Sequence, residues 1–313
     1  MDAEAKMRFI KWRVNMADSK ITRRKLLMAV PAVACGLAVP ALAQESREGL
    51  SKPVYRVSNN TGKANNQQVA ARQHPLTPAI AMAEKGLTAI NNGILDYDCT
   101  IYKRERVNGK LLGTELIYSK VRHEQTDAAG NVTVPFSVYM KFVGPKSVAG
   151  REVMYIKGHN NGKLTAHEGG AIIGLITVSL DPNSAMAMRG NRYPITEIGV
   201  KNLVTKLIEI AKADAKFGEC DVTIQDGAKI QDRSCTYIKV VHPTPRKNFR
   251  FHRADIFIDN QLKVPIRYAA WDWKKDAKGN PQLLEEYTYT KMKINQGFTN
   301  LDFDVNNPKY GFN

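Results

Sequence analysis

The side chains best suited to chemistry in this 313-residue chain are six histidines, three cysteines beyond residue 43, and the cations of two loops. The histidines stand at 74, 123, 159, 167, 242 and 252. None forms HExxH or a Cys/His zinc spacing, so neither hydrolytic metal chemistry nor a structural metal is expected. His167 and Glu168 are adjacent, and on a strand adjacent side chains face opposite ways. His252 sits between Arg250 and Arg253, poor surroundings for a metal ligand. Each histidine is therefore expected in a surface or turn role. The chain also lacks a GxSxG elbow, a phosphate-cradling Walker loop and a GxGxxG turn after a strand. The reading is of a protein that is not an enzyme and needs no cofactor.

Residues 144–151 and 181–194 gather Lys146, Arg151, Arg189 and Arg192. These are enough to hold an anion, or to serve an enzyme working in those loops; turn and salt-bridge roles explain them equally well. Cys220 and Cys235 flank DVTIQDGAKIQDRS, which reads as two short strands around Asp226-Gly227-Ala228. A hairpin with Gly227-Ala228 as its two-residue loop would set the cysteines opposite each other. A disulfide there and a pair of buried thiols are equal expectations. Cys99, among strand residues, reads as a small core residue.

A different chemistry is apolar. In FSVYMKF, Phe136, Val138, Met140 and Phe142 alternate with Ser137, Tyr139 and Lys141, so one face of the strand is wholly apolar. Met154, Met186 and Met188 add flexible, polarizable side chains suited to varied apolar ligands. These seven residues are the candidates for a ligand-lining surface; ordinary core packing is the alternative for each. Tyr102-Lys103-Arg104 and Phe249-Arg250-Phe251 interleave aromatic and basic residues as single-strand binders do, but strand alternation gives the same pattern. No nucleic-acid partner is expected.

The elements that must position these residues are mostly strands. Thr77-Pro78 reads as an N-cap with proline at the first helical position, followed by Ile80, Ala83 and Leu87 at helical spacing up to Asn92-Gly93. Asn108-Gly109 marks a hairpin between LDYDCTIYKRERV and LLGTELIYSKVR. FSVYMKFV, REVMYIKG and KLTAHEG follow. A second helix is expected over residues 196–213, with Ile198, Leu203, Val204, Leu207, Ile208 and Ala211 as its apolar stripe. SCTYIKVVH, NFRFHRADIFID, KVPIRYAAWDW and LLEEYTYTKMKI then return to strands joined by short turns. Short connections between many strands imply an antiparallel meander rather than parallel crossovers.

The N-terminus carries an address. Thr22-Arg23-Arg24-Lys25-Leu26-Leu27 precedes an apolar run that ends in Ala41-Leu42-Ala43. This resembles a twin-arginine signal peptide over residues 1–43, with cleavage between Ala43 and Gln44 and a periplasmic or otherwise exported product. Residues 44–74 are polar and aperiodic and read as a flexible leader; residues 75–313 read as one domain. Of the formal net charge of +16, five come from residues 1–43, leaving +11 for the remainder. A basic body suits an anionic envelope partner, although a solvated basic surface explains it too.

ELIYSKVRHE, VPFSVYMKFVGPKSVAGREVMYIKG and SLDPNSAMAMRGNRYPITEIG together resemble the bacterial domain of unknown function 1571. IFIDNQLKVPIRYAAWDW and YTYTKMKINQGFTNLDF are similar to the wider LolA/LolB-like superfamily of periplasmic lipoprotein carriers. The resemblance implies an α+β fold: a large curved antiparallel sheet, an incomplete LolA-like β-barrel, with about two main helices on its concave side. It implies binding of an acyl chain, a lipid or a lipidated partner inside that half barrel, and it brings no catalytic residues. The alternative is a cell-envelope interaction module with a filled core and a basic docking surface.

Overall fold

The computed structural model describes residues 73–169 and 176–312, so the expected signal segment and nearly all of the expected leader lie outside the described residues. The chain enters through α1 (Thr77–Gly93) and continues into β1 (Asp96–Val107) and β2 (Lys110–Leu111). Asn108 and Gly109 between them both take positive φ, 49° and 75°, as a tight two-residue hairpin requires. β3 (Glu115–Arg122) pairs with β1; β4 (Gln125–Thr126) and β5 (Val132–Val134) form a small separate ribbon. Next come β6 (Ser137–Gly144), β7 (Glu152–Ile156), β8 (Leu164–His167) and β9 (Thr177–Leu180). The chain then passes through α2 (Val200–Asp214) to β10 (Asp221–Ile230), β11 (Arg233–Val241), β12 (Arg253–Asp259), β13 (Pro265–Lys275) and β14 (Pro281–Ile294).

The large sheet runs β10-β11-β12-β13-β14-β1-β3-β6-β7-β8-β9, with every neighbouring pair antiparallel. Each half is a meander, and the β1–β14 ladder joins the first half to the second. β9 and β10 are the two edges, so the curved sheet is not closed into a barrel. This is the expected fold class, with two helices and one large antiparallel sheet.

Strand parity sorts the side chains. On β1, β3 and β6 the directly opposed residues Ile101, Ile117 and Phe142 share the inner face, as do Val121 and Val138. α2 presents Val200, Val204 and Ile208, one helical turn apart, to this core. Its start is fastened by Tyr97, a fully buried phenol whose oxygen accepts the Val200 N–H at 3.0 Å. Gly199, in the cap position, has φ 108°, and a β-carbon there would stand 3.1 Å from the same phenol oxygen. The outer face of β3, β6 and β7 is covered too. Tyr139 and Met154 face outward and pack with Phe303 and Phe312 from the C-terminal segment; Tyr310 stacks on Tyr139 with centroids 4.1 Å apart.

Three local expectations are corrected. The helix begins at Thr77 itself, with Leu76 in the cap position and no side-chain cap. The turn of the β10–β11 hairpin is Gln231-Asp232; Gly227 (φ 81°) belongs to a bulge within β10. Cys235 therefore opposes Ala228 rather than Cys220, which lies at the far end of the hairpin, and both cysteines are free and buried. Four of the six histidines expected at the surface or in turns are buried, because each finds a hydrogen-bond partner. His74, His123 and His242 bond to the carbonyls of Phe217, Ile94 and Phe251, and His167 to the Thr177 hydroxyl.

Two predictions follow from these packing details. Tyr97→Phe leaves the buried Val200 N–H without its acceptor and is expected to cost about 1–3 kcal/mol in chemical denaturation. Asp214, at the C-terminal end of α2 and 3.4 Å from His242, is pushed up to about 7 by burial, with Arg250 opposing. Between the ordinary value of 3.8 and about 7 the folded chain keeps this proton while the unfolded chain releases it, so stability falls as pH rises through that window. Asp214→Asn is expected to flatten this slope of Tm against pH and to raise Tm at pH 8.

Candidate functional site

Between α2 and the inner face of the sheet lies a cavity of about 740 Å³. Two walls of opposite character enclose it. The β6–β9 side is aliphatic: Val153, Ala166 and Val178 stand in one register row across β7, β8 and β9, with Met140, Leu164 and Leu180 beside them. From α2 come Leu203, Leu207 and Ile210. Ile176 and Met186 also wall the cavity while remaining 54 % and 65 % exposed, so apolar surface continues out to solvent.

The other wall is polar and comes from β1, β13 and β14. The inner parity of β1 carries Ile101, Lys103 and Glu105, opposed across the ladder by Tyr289, Tyr287 and Glu285. Two buried carboxylates thus face each other directly, an arrangement that like charges ordinarily disfavour. Residues 191–193 neutralise it. The Arg192 backbone N–H donates to Glu105 Oε2 at 2.9 Å, and its Nε donates to Glu285 Oε2 at 2.9 Å. Tyr193 donates to Glu285 Oε1 at 3.0 Å, and Tyr287 donates to Glu105 Oε1. Lys103 lies 2.9 Å from Glu115 and 3.6 Å from Glu105, and also donates to Asn191. Burial pushes the Glu285 carboxyl up from its ordinary value; Arg192 and Tyr193 oppose this, and Glu105 adds to it.

The sequence-derived candidates divide against this geometry. Met140, Phe142 and Met186 stand on the cavity wall. Val138 shares the inner face but is fully buried in the filled core, and Phe136 precedes β6 and packs against Tyr155 with centroids 6.4 Å apart. Met154 opposes Tyr139 in register and so points to the outer face, away from the cavity. Met188 is half-buried in the 181–194 loop and is not part of the wall. The four cations expected to hold an anion do not share one task. Arg151 pairs with Glu168 at 3.0 Å and lies over the Phe142 ring, and Arg192 is committed to Glu285. Arg189 is exposed at the cavity, whereas Lys146 is exposed away from it.

Glu105, Glu285, Tyr287 and Tyr289 were not among the candidates. Their signal was strand parity: continuing the Tyr97-Cys99-Ile101 alternation inward lands on Lys103 and Glu105. Among the described residues no group of three or more His, Cys, Asp or Glu is placed to hold a metal ion, and no helix is long and apolar enough to cross a membrane.

The described residues thus form an open antiparallel sheet with two helices, and a cavity between α2 and the inner face of the sheet. The family model described as "Protein of unknown function (DUF1571)" matches residues 94–312, and the chain belongs to that family. No curated protein matches the sequence. Among solved structures, a DUF1329 family protein from Desulfovibrio piger is similar at 11 % identity and TM-score 0.35, over 74 % of this chain and 98 % of that one. The Mycobacterium tuberculosis lipoprotein LppX is similar at 12 % identity and TM-score 0.38, over 73 % of this chain and 100 % of that one. A LolA superfamily protein from Nitrosomonas europaea is similar at 9 % identity and TM-score 0.26, over 72 % and 96 %.

The carboxylate pair yields a double-mutant prediction. Arg192→Met alone strands Glu285 beside Glu105 and is expected to destabilise the protein by about 3–5 kcal/mol. Adding Glu285→Gln is expected to recover more than half of that loss, as read from denaturation midpoints.

Proposed function

We propose that this protein is an exported, non-enzymatic binder of an apolar ligand, an acyl chain carried by a lipid or a lipidated partner, held in the cavity under α2. The observation that carries the reading is the aliphatic wall of β6–β9 facing a space of about 740 Å³, within the range of small-molecule sites. A chain lying along that wall gains about 0.8 kcal/mol for each methylene removed from water. The exposed Ile176 and Met186 offer it a continuous apolar path from outside. Export rests on the Arg23-Arg24 segment and the Ala41-Leu42-Ala43 ending. The rival reading, an envelope module with a filled core, is disfavoured by the presence of the cavity. An anionic envelope partner for the basic body remains part of the proposal.

Native mass spectrometry of the purified protein after incubation with a bacterial lipid extract tests this. A retained mass of lipid size is expected, and a protein that never retains one would refute the reading. Ala166→Trp, which places an indole in the middle of the aliphatic wall, is expected to lower retention at least tenfold while the circular-dichroism melt keeps its cooperativity.

A further inference from the structure

The polar wall holds one group that the protein leaves unanswered. Tyr289 lines the cavity and is only 6 % exposed, yet its hydroxyl makes no hydrogen bond among the described residues. Its neighbours along the inner face of β14 are all engaged: Tyr287 donates to Glu105, and Glu285 accepts from Arg192 and Tyr193. A buried phenol normally finds a partner, because leaving it without one forfeits the hydrogen bonds it made in water. Tyr289 therefore marks a place where a ligand, rather than the chain, supplies the partner.

The surroundings state which chemistry. Each carboxylate oxygen has two lone-pair directions; Glu105 accepts from Tyr287 and the Arg192 N–H, and Glu285 from Arg192, Tyr193 and Tyr268, so each retains some capacity to accept from a ligand, Glu105 the more. Charge selects further. The cations of the lining, Lys206 and Arg250 among them, equal its carboxylates in number, five of each, and at the polar wall Lys103 is paired with Glu115 and Arg192 with Glu285. Arg151 is likewise tied to Glu168. An anionic head would meet Lys103 and Arg192 already paired and would have to be desolvated without a new partner there. A cationic head gains little, because each buried carboxylate already has its cation and a further charge must be desolvated.

We infer that the polar wall of β1 and β14 is a head-group subsite for an uncharged, hydroxyl-bearing amphiphile of the acylglycerol or acyl-sugar class. In it, Tyr289 bonds the linkage oxygen or first hydroxyl, and Glu105 and Glu285 accept from further hydroxyls. The acyl chain lies on the opposite aliphatic wall. This rests on the proposal that the cavity binds acyl chains, and it adds the orientation and head class of what is bound.

Four probes with the same chain length separate the two ideas: 1-monooleoylglycerol, oleate, oleylamine and 1-octadecene, each titrated calorimetrically into the purified protein. Monooleoylglycerol is expected to bind tightest. Tyr289→Phe removes a hydroxyl that makes no hydrogen bond among the described residues, so Tm is expected to stay unchanged while monooleoylglycerol weakens about fivefold and octadecene does not change. Glu285→Gln is expected to narrow the gap between monooleoylglycerol and oleate. Oleate or oleylamine binding ahead of monooleoylglycerol, or a Tyr289→Phe protein with unaltered affinities, overturns the inference. Octadecene binding as tightly as the others also overturns it but leaves the acyl-chain reading standing. If no probe binds, both fall together.

Discussion

The ladder between β1 and β14 is the join on which the rest of the molecule depends. It pairs residues 96–107 with residues 281–294, so among the described residues the first strand is hydrogen-bonded to the last. Without it the two meanders would be separate sheets of five and six strands. With it the sheet is continuous from β10 to β9, and the unclosed edges sit at the two ends of the segment that contains α2. Such a closure carries an entropic cost, because the two ends of a very long stretch of chain must be brought together. The ladder offsets that cost by length, extending from Tyr97–Ile294 to Glu105–Glu285.

The same ladder creates the most unusual pairing in the cavity. Antiparallel register brings Glu105 and Glu285 face to face in a buried setting, and one loop residue, Arg192, answers both, through its backbone to one and its side chain to the other. The 181–194 loop is thereby fastened to the sheet by the repulsion it relieves. A hydrophobic pair at these positions would pack with less electrostatic cost. What the carboxylates add is a fixed position for the loop and a wall able to accept hydrogen bonds, set opposite an aliphatic wall.

The outer face shows a second use of distant chain. The C-terminal residues cross back over β3, β6 and β7, where Glu152 accepts from the Tyr139 hydroxyl and the Gly311 N–H, both at 3.0 Å, and pairs with Lys141 at 2.9 Å. Lys120 bonds to Asp302 at 2.8 Å, and Arg122 lies over the Phe303 ring. This region of the sheet is covered on both sides, which explains why β6 is buried at Val138, Tyr139 and Met140 in succession rather than in alternation. Read as a strand with one apolar face, FSVYMKF gave no sign that Tyr139 would be enclosed too.

Local patterns determined most of the element order. Asn108-Gly109 specified its hairpin because both residues tolerate positive φ, and the spacing of Val204, Leu207 and Ile208 specified α2 because a helix must bury one stripe. The antiparallel meander followed from connections too short for crossovers. Pairing over long distances was decided only by the tertiary structure. Parity alone could not say that Met154 opposes Tyr139 and faces outward, that the hairpin turns at Gln231-Asp232 and so parts Cys220 from Cys235, or that Glu105 meets Glu285. Each depends on the register between segments, and a shift of one residue reverses every side chain in a strand. The sequence by itself determined which residues form strands and helices, because those preferences are local. Which face became core, outer cover or cavity was decided by the neighbour that each strand acquired.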